Sequence, residues 1–133
     1  MWTKNIFTSV FSRVSANGRI KLQPKYPKIN FTNSTPKSKI TSFPTVIISD
    51  MDSSDIARTL EGKEVNATYS NIEIQVITNT SQEDADYVAD VCYDLMSALS
   101  YGTSLRPKPN STQDNEYRNV ARYRRAVGKD DIL

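Results

Sequence analysis

Between residues 71 and 102 one hydrophobic period gives way to another, and that change limits the possible folds most. Ile72, Ile74 and Val76 alternate with Glu73 and Gln75, the period of a strand with one buried face. After a polar break, Ala85, Val88, Cys92, Leu95 and Leu99 recur at steps of three and four, the period of an amphipathic helix. Thr80 with Glu83 fits a capping box, and Ser81 with Asp84 is an alternative cap one residue later. Glu83, Asp84 and Asp86 lie where the positive end of the helix dipole favours anions. Gly102 is expected to close the helix in the left-handed conformation. The spacing therefore predicts a strand feeding a helix that packs back over its sheet.

The flanking segments extend this unit. Ile6, Phe7, Val10 and Val14 share one side of a helix over residues 3–15, which Asn17-Gly18 is expected to end. That helix fits a core element better than a membrane anchor, because a chain of 133 residues needs each apolar face for its core. Residues 43–49 are rich in β-branched side chains, and the run Val46-Ile47-Ile48 predicts a strand buried on both faces, paired with a long strand over residues 65–77. Residues 50–55 read as a turn with solvated aspartates, since the glycine and closing glutamate of an EF-hand loop are missing. Residues 56–62 read as one helical turn or an irregular crossing. Pro107 and Pro109 hold residues 105–110 extended, residues 111–115 form a turn, and residues 116–127 alternate as a last strand. The expected fold is α+β: one domain over residues 1–133, with a small, mostly antiparallel sheet packed against an N-terminal helix and a central helix at about 82–101. Residues 128–133 form a loose tail.

Residues 19–41 have no clear period. Pro24, Pro27 and Pro36 interrupt them, and Lys21, Lys25, Lys28, Lys37 and Lys39 are spread among them. They are expected to form an extended basic arm or loop that orders against another subunit, or to contain a short edge strand near 28–32 guarded by lysines. As an arm, residues 24–36 would be dispensable for folding of the monomer.

The composition argues against enzymatic chemistry. The chain has no histidine, one cysteine and four glycines. Those counts rule out a Cys-His nucleophile and Cys/His zinc spacing, and the four glycines form no phosphate-binding loop pattern. Neither a cofactor nor a metal is expected. Cys92 falls on the apolar stripe of the central helix, where a small hydrophobe fits. The Asn-x-Ser/Thr sites at Asn30, Asn33, Asn66, Asn79 and Asn110 reflect abundant Asn, Ser and Thr rather than glycosylation. The opening residues form too short an apolar run for a signal peptide, and no stretch reaches the length of a membrane span. Synthesis inside the cell is the expectation, with no membrane partner.

Charge is small in sum, +2, but segregated. The first forty residues are basic, the middle is acidic, and residues 118–125 are basic again. Arg118, Arg122 and Arg124 project from one face of the last strand and Arg125 from the other. They pair either with Asp86, Asp90 and Asp94 of the helix or with acids of a neighbouring subunit; direct nucleic-acid contact is the weaker alternative. The residues expected at a subunit or partner interface are Lys25, Lys28, Phe31, Lys37, Arg118, Arg122 and Arg124.

The order of these elements carries a resemblance. Phe43-Pro44-Thr45-Val46 precedes a strand over residues 69–79, then a helix carrying Ala85, Val88, Val91, Met96 and Leu99 into Tyr101-Gly102. Pro109-Asn110 and the arginine-rich run Tyr117-Arg118-Asn119-Val120-Ala121-Arg122-Tyr123 follow. Over residues 40–127 this pattern resembles the tail terminator, or tail completion, proteins of long-tailed, siphovirus-like bacteriophages. Two features depart from the family: Tyr101-Gly102-Thr103 stands where it often has Gly-Phe, and the arm at 19–41 is long. The resemblance implies an α/β sandwich subunit that forms a hexameric ring in the neck of the virion. The ring caps the tail tube and joins it to the head-side connector, with packaged DNA passing through the lumen without sequence readout. The implied partners are copies of the chain, the tail tube protein and the head completion or stopper protein. The family offers no catalytic residue to carry over. A head–tail adaptor or stopper is the nearest alternative, and a small nucleic-acid-binding module using residues 118–125 is a second.

Overall fold

A computed structural model describes residues 6–33, 43–51, 54–58, 65–110 and 116–128, with the side chains of 54–58, 65–68, Asn110 and Gly128 left undescribed. The elements run α1 (Ile6–Leu22), β1 (Asn30–Thr32), β2 (Thr45–Asp50), β3 (Ser54–Arg58), β4 (Val65–Thr78), α2 (Gln82–Ala98), β5 (Gly102–Asn110) and β6 (Tyr117–Gly128). The sheet order is β1-β2-β4-β6-β5. β1 runs parallel to β2, and the other pairings are antiparallel. This is the α+β architecture expected from the two periods.

β4 is the spine. Along one edge β2 pairs with its second half, Ile72 to Ile77, and β3 pairs with its first half, Val65 to Tyr69. Along the other edge β6 pairs from Ala67 to Thr78. Both helices pack on one face. Ile72, Ile74 and Val76 of β4 meet Val46 and Ile48 of β2 and Ala121 and Tyr123 of β6, with Val10, Val14, Ala85, Val88, Cys92 and Met96 above them. Pleat alternation sends Thr45, Ile47, Ile77 and Val120 to the face away from the helices, where they are also buried. Ile47 is 2% exposed, so the expectation of a strand buried on both faces holds for Val46-Ile47-Ile48.

Several expectations are corrected. α1 does not end at Asn17-Gly18 but runs to Leu22, and Gly18 is one of its buried residues. The reason is packing. A Cβ on Gly18 would meet Cζ of Phe31 at 2.5 Å, so the bare backbone is the seat of that ring. Residues 19–22 are therefore helix, not arm, and Leu22 and Phe31 belong to the core. The edge strand near 28–32 is present as β1, and it holds its place by parallel pairing with Thr45 to Ile47. Residues 34–42, including Lys37, lie outside the described residues, as do the turn at 111–115 and the tail beyond Gly128.

The end of α2 also differs. Leu99 is the C-cap, and Ser100 takes the left-handed conformation with φ 67°, while Gly102 opens β5. The amide of Ser100 donates to Ser97 O at 2.9 Å and that of Tyr101 to Met96 O at 3.1 Å, the paired bonds of a Schellman ending. At the start of α2, Ser81 is the N-cap and accepts from the Asp84 amide at 3.2 Å, so the second of the two capping alternatives is the one used. Asp50 lies in β2 rather than in a turn, and residues 54–58 form a strand where the end of that turn and the start of a helical turn or irregular crossing were expected. β5 extends the proline segment into an edge strand, with register shifts at Thr103/Leu105 and Leu105/Lys108. Prolines are tolerated there because an edge strand leaves one side of its backbone unpaired.

Candidate functional site

The arginines of β6 fall where strand alternation puts them. Asn119, Ala121 and Tyr123 point toward α2, so Arg118, Arg122 and Arg124 share the face away from the helices. In cross-strand register, Arg122 lies between Glu73 of β4 and Leu105 of β5, and Arg124 between Asn71 and Gly102. Lys108 is opposite Val120 and joins the same face.

Each arginine has a different neighbour. Arg122 Nε donates to Glu73 Oε2 at 3.0 Å, and Arg118 Nη2 lies 3.6 Å from Glu116 Oε2. The Arg124 guanidinium stacks over Tyr69, 3.6 Å from the ring centroid. The expected pairing of this stripe with the acids of the helix is therefore not formed within the subunit: the sheet stands between them. Asp86 instead accepts from Gln82 Nε2 at 3.0 Å and from Asn119 Nδ2 at 2.8 Å. Gln82 Nε2 also donates to Arg118 O at 2.9 Å, so amides rather than ion pairs fasten the start of α2 to β6. Among the described residues, Arg124, Lys108, Asp90 and Asp94 pair with no opposite charge.

The other expected interface residues separate. Phe31 is 5% exposed and packs on Gly18, with Arg19 over its ring at 6.0 Å, so it serves its own subunit's core. Lys28 is exposed. Lys25 sits on the helix side, with Nζ 4.2 Å above the Tyr87 ring and 5.6 Å from that of Tyr26.

That lysine belongs to a cluster that sequence reasoning missed. Tyr26, in the loop after α1, donates its hydroxyl to Asp84 Oδ1 at 2.9 Å, and Thr80 Oγ1 donates to the other carboxylate oxygen. These donors, with the Ser81 cap and nearby Lys25, hold the Asp84 carboxyl below its usual value. Burial first, then the bond to Asp84, pushes the Tyr26 hydroxyl up to about 12. The sequence marked Thr80, Ser81 and Asp84 as capping residues and Lys25 as an interface residue; nothing in the proline-broken run around Tyr26 pointed to its bond with Asp84.

Among the described residues little else is arranged for chemistry. Cys92 is fully buried, and burial pushes its thiol up to about 12, far from a reactive thiolate. Tyr123 hydroxyl and Asn119 Oδ1 are buried with no hydrogen-bond partner among the described residues. An open groove of about 220 Å³ between the helices is lined by Arg13, Val14, Asn17, Leu95, Ala98 and Leu99. Among the described residues no three acidic, cysteine or histidine side chains gather as a metal site, and no helix is long and apolar enough to cross a membrane.

No family model matches the chain, and no curated protein matches it either.

Proposed function

We propose that this chain is a structural subunit that assembles into a ring, acting as a tail terminator at the head end of a phage tail tube. One observation supports this reading most. α2 has 17 residues and spans about 26 Å, whereas β4 has 14 and spans about 46 Å. The sheet therefore outruns its helical layer. Of the side chains described, the helix-packed core takes its first β4 member at Ile72. The pairing continues past it, with β3, β4 and β6 forming a three-stranded extension from Tyr69 to Val65. A three-stranded β-extension beyond the helix-packed core offers paired strands for contact with a neighbour or with a tube end. The sheet, central helix and arginine-bearing last strand also stand in the order that the resemblance implies.

On this reading the partners are copies of the chain, the tail tube protein and a completion or stopper protein of the connector, with DNA passing through the lumen unread. An adaptor or stopper role uses the same features at a neighbouring position. The direct test mixes purified tail tubes with the chain and images them. A cap at one end of each tube is expected; density on the connector side alone would favour the stopper, and no binding at either end would overturn both.

The exposed guanidinium of Arg124, stacked on Tyr69 beside Arg122, favours one other reading, a module that grips nucleic-acid phosphates. Tight DNA binding by the isolated chain, falling steeply with salt, would favour it.

A further inference from the structure

The two sides of the molecule at its β5–β6 end carry opposite charge, in part unpaired among the described residues. On the helix side, α2 contains Glu83, Asp84, Asp86, Asp90 and Asp94 and no lysine or arginine. Glu83, Tyr87, Asp90 and Asp94 are spaced four, three and four apart and all exposed, so they form one outward stripe, with Tyr93 beside it. Tyr87 is 44% and Tyr93 37% exposed. On the opposite side of the sheet, Arg124 and Lys108 are exposed and pair with no acid among the described residues, next to Arg122.

We infer that the acidic, tyrosine-bearing stripe of α2 is the docking surface for the basic β5–β6 face of a second copy of this chain. The sheet keeps the two surfaces of one subunit apart, and among the described residues Asp90, Asp94, Arg124 and Lys108 meet no opposite charge, so a second molecule can supply it. The chemistry matches in kind as well as sign. Arginine pairs with carboxylates and stacks on tyrosine rings, as Arg124 already does on Tyr69; Tyr93 offers an exposed ring amid carboxylates, while Tyr87 already carries Lys25 of its own subunit over its ring. Because one surface meets a different surface, the contact is heterologous: repeated, it closes into a ring or grows as a filament, according to the rotation per step. This inference rests on the ring-subunit reading and specifies its interface.

Charge reversal on each side tests it. Lys108→Glu with Arg124→Glu makes both surfaces acidic, and Asp90→Lys with Asp94→Lys makes both basic. All four positions are exposed, so circular dichroism should match the parent. Light scattering after size exclusion is expected to show self-association weakened about tenfold or more in each variant. Association should return when the two are mixed in equal amounts, and in the fourfold variant that exchanges the charges. If a reversal fails to fold, the neutral pair Lys108→Gln with Arg124→Gln takes its place and should still weaken association. Parent-like assembly of both variants, or no recovery on mixing, overturns the interface but leaves the ring reading standing. A parent that forms open filaments supports the interface and contradicts closure. A parent that stays monomeric at its highest soluble concentration overturns both.

Discussion

Ser100 occupies a left-handed conformation with φ 67°, a place where a Cβ is a penalty. Its backbone bonds close α2 whatever its side chain does. Ser100→Gly is expected to raise stability by about 0.5–1 kcal/mol, read as a higher denaturation midpoint with an unchanged slope. Gly18 shows the reverse case. In a helix interior, alanine ordinarily exceeds glycine by about 1 kcal/mol. At Gly18 the added methyl would press on Cζ of Phe31 at 2.5 Å, and the ring is held against the core. Overpacking outweighs propensity, so Gly18→Ala should destabilise by about 1–3 kcal/mol. A gain in stability from this substitution would mean that Phe31 does not sit on that glycine.

At the scale of elements, the loop after α1 is tied to the start of α2 through Tyr26 and Asp84. The Asp84 carboxyl is held below its ordinary value of 3.8, so its contribution is fully present above that pH and is lost as pH falls through the folded value. The Tyr26 hydroxyl is raised from 10.0 to about 12, so its contribution persists to pH 10 and fades as pH climbs toward 12. The melting-temperature gap between the parent and Asp84→Asn should therefore be steady near neutrality and shrink below pH 3.8. A gap unchanged down to pH 2 would contradict the latch.

The same scale divides what the residues revealed from what they concealed. The β4–α2 unit was legible because its periods of 2 and 3.6 follow each other with little interruption. The second half of α1 was not, since Asn17-Gly18 carries a strong local turn signal and only the distant Phe31 explains its helical state. β3 was missed because Ser54–Arg58 has a weak strand composition and is held by backbone pairing to β4. Alternation correctly set Arg118, Arg122 and Arg124 on one face, with Arg125 on the other. It gave no means of knowing that α2 covers the opposite side, so the expected pairing with Asp86, Asp90 and Asp94 failed within the subunit.

For the whole molecule, the largest correction concerns the arm. Deleting residues 24–36 removes β1 and Phe31, and losing a buried aromatic alone costs about 3–5 kcal/mol. That is a large share of the 5–15 kcal/mol that holds a typical domain together. The deletion is expected to abolish or sharply lower the thermal transition, where an independent arm would leave it intact. Arg122 needs similar care as a probe of assembly. It pairs with Glu73 in its own subunit, so Arg122→Glu sets two acids side by side and perturbs the fold as well as any interface. Arg124 and Lys108 report on association more cleanly.

The central claim is that the chain works by assembling with itself. Native mass spectrometry of the purified, unmodified protein tests it most directly. The expected result is one dominant closed oligomer of fixed stoichiometry, six on the strength of the resemblance, which dissociates as salt is raised. A spectrum holding only monomer at every concentration and salt would contradict it.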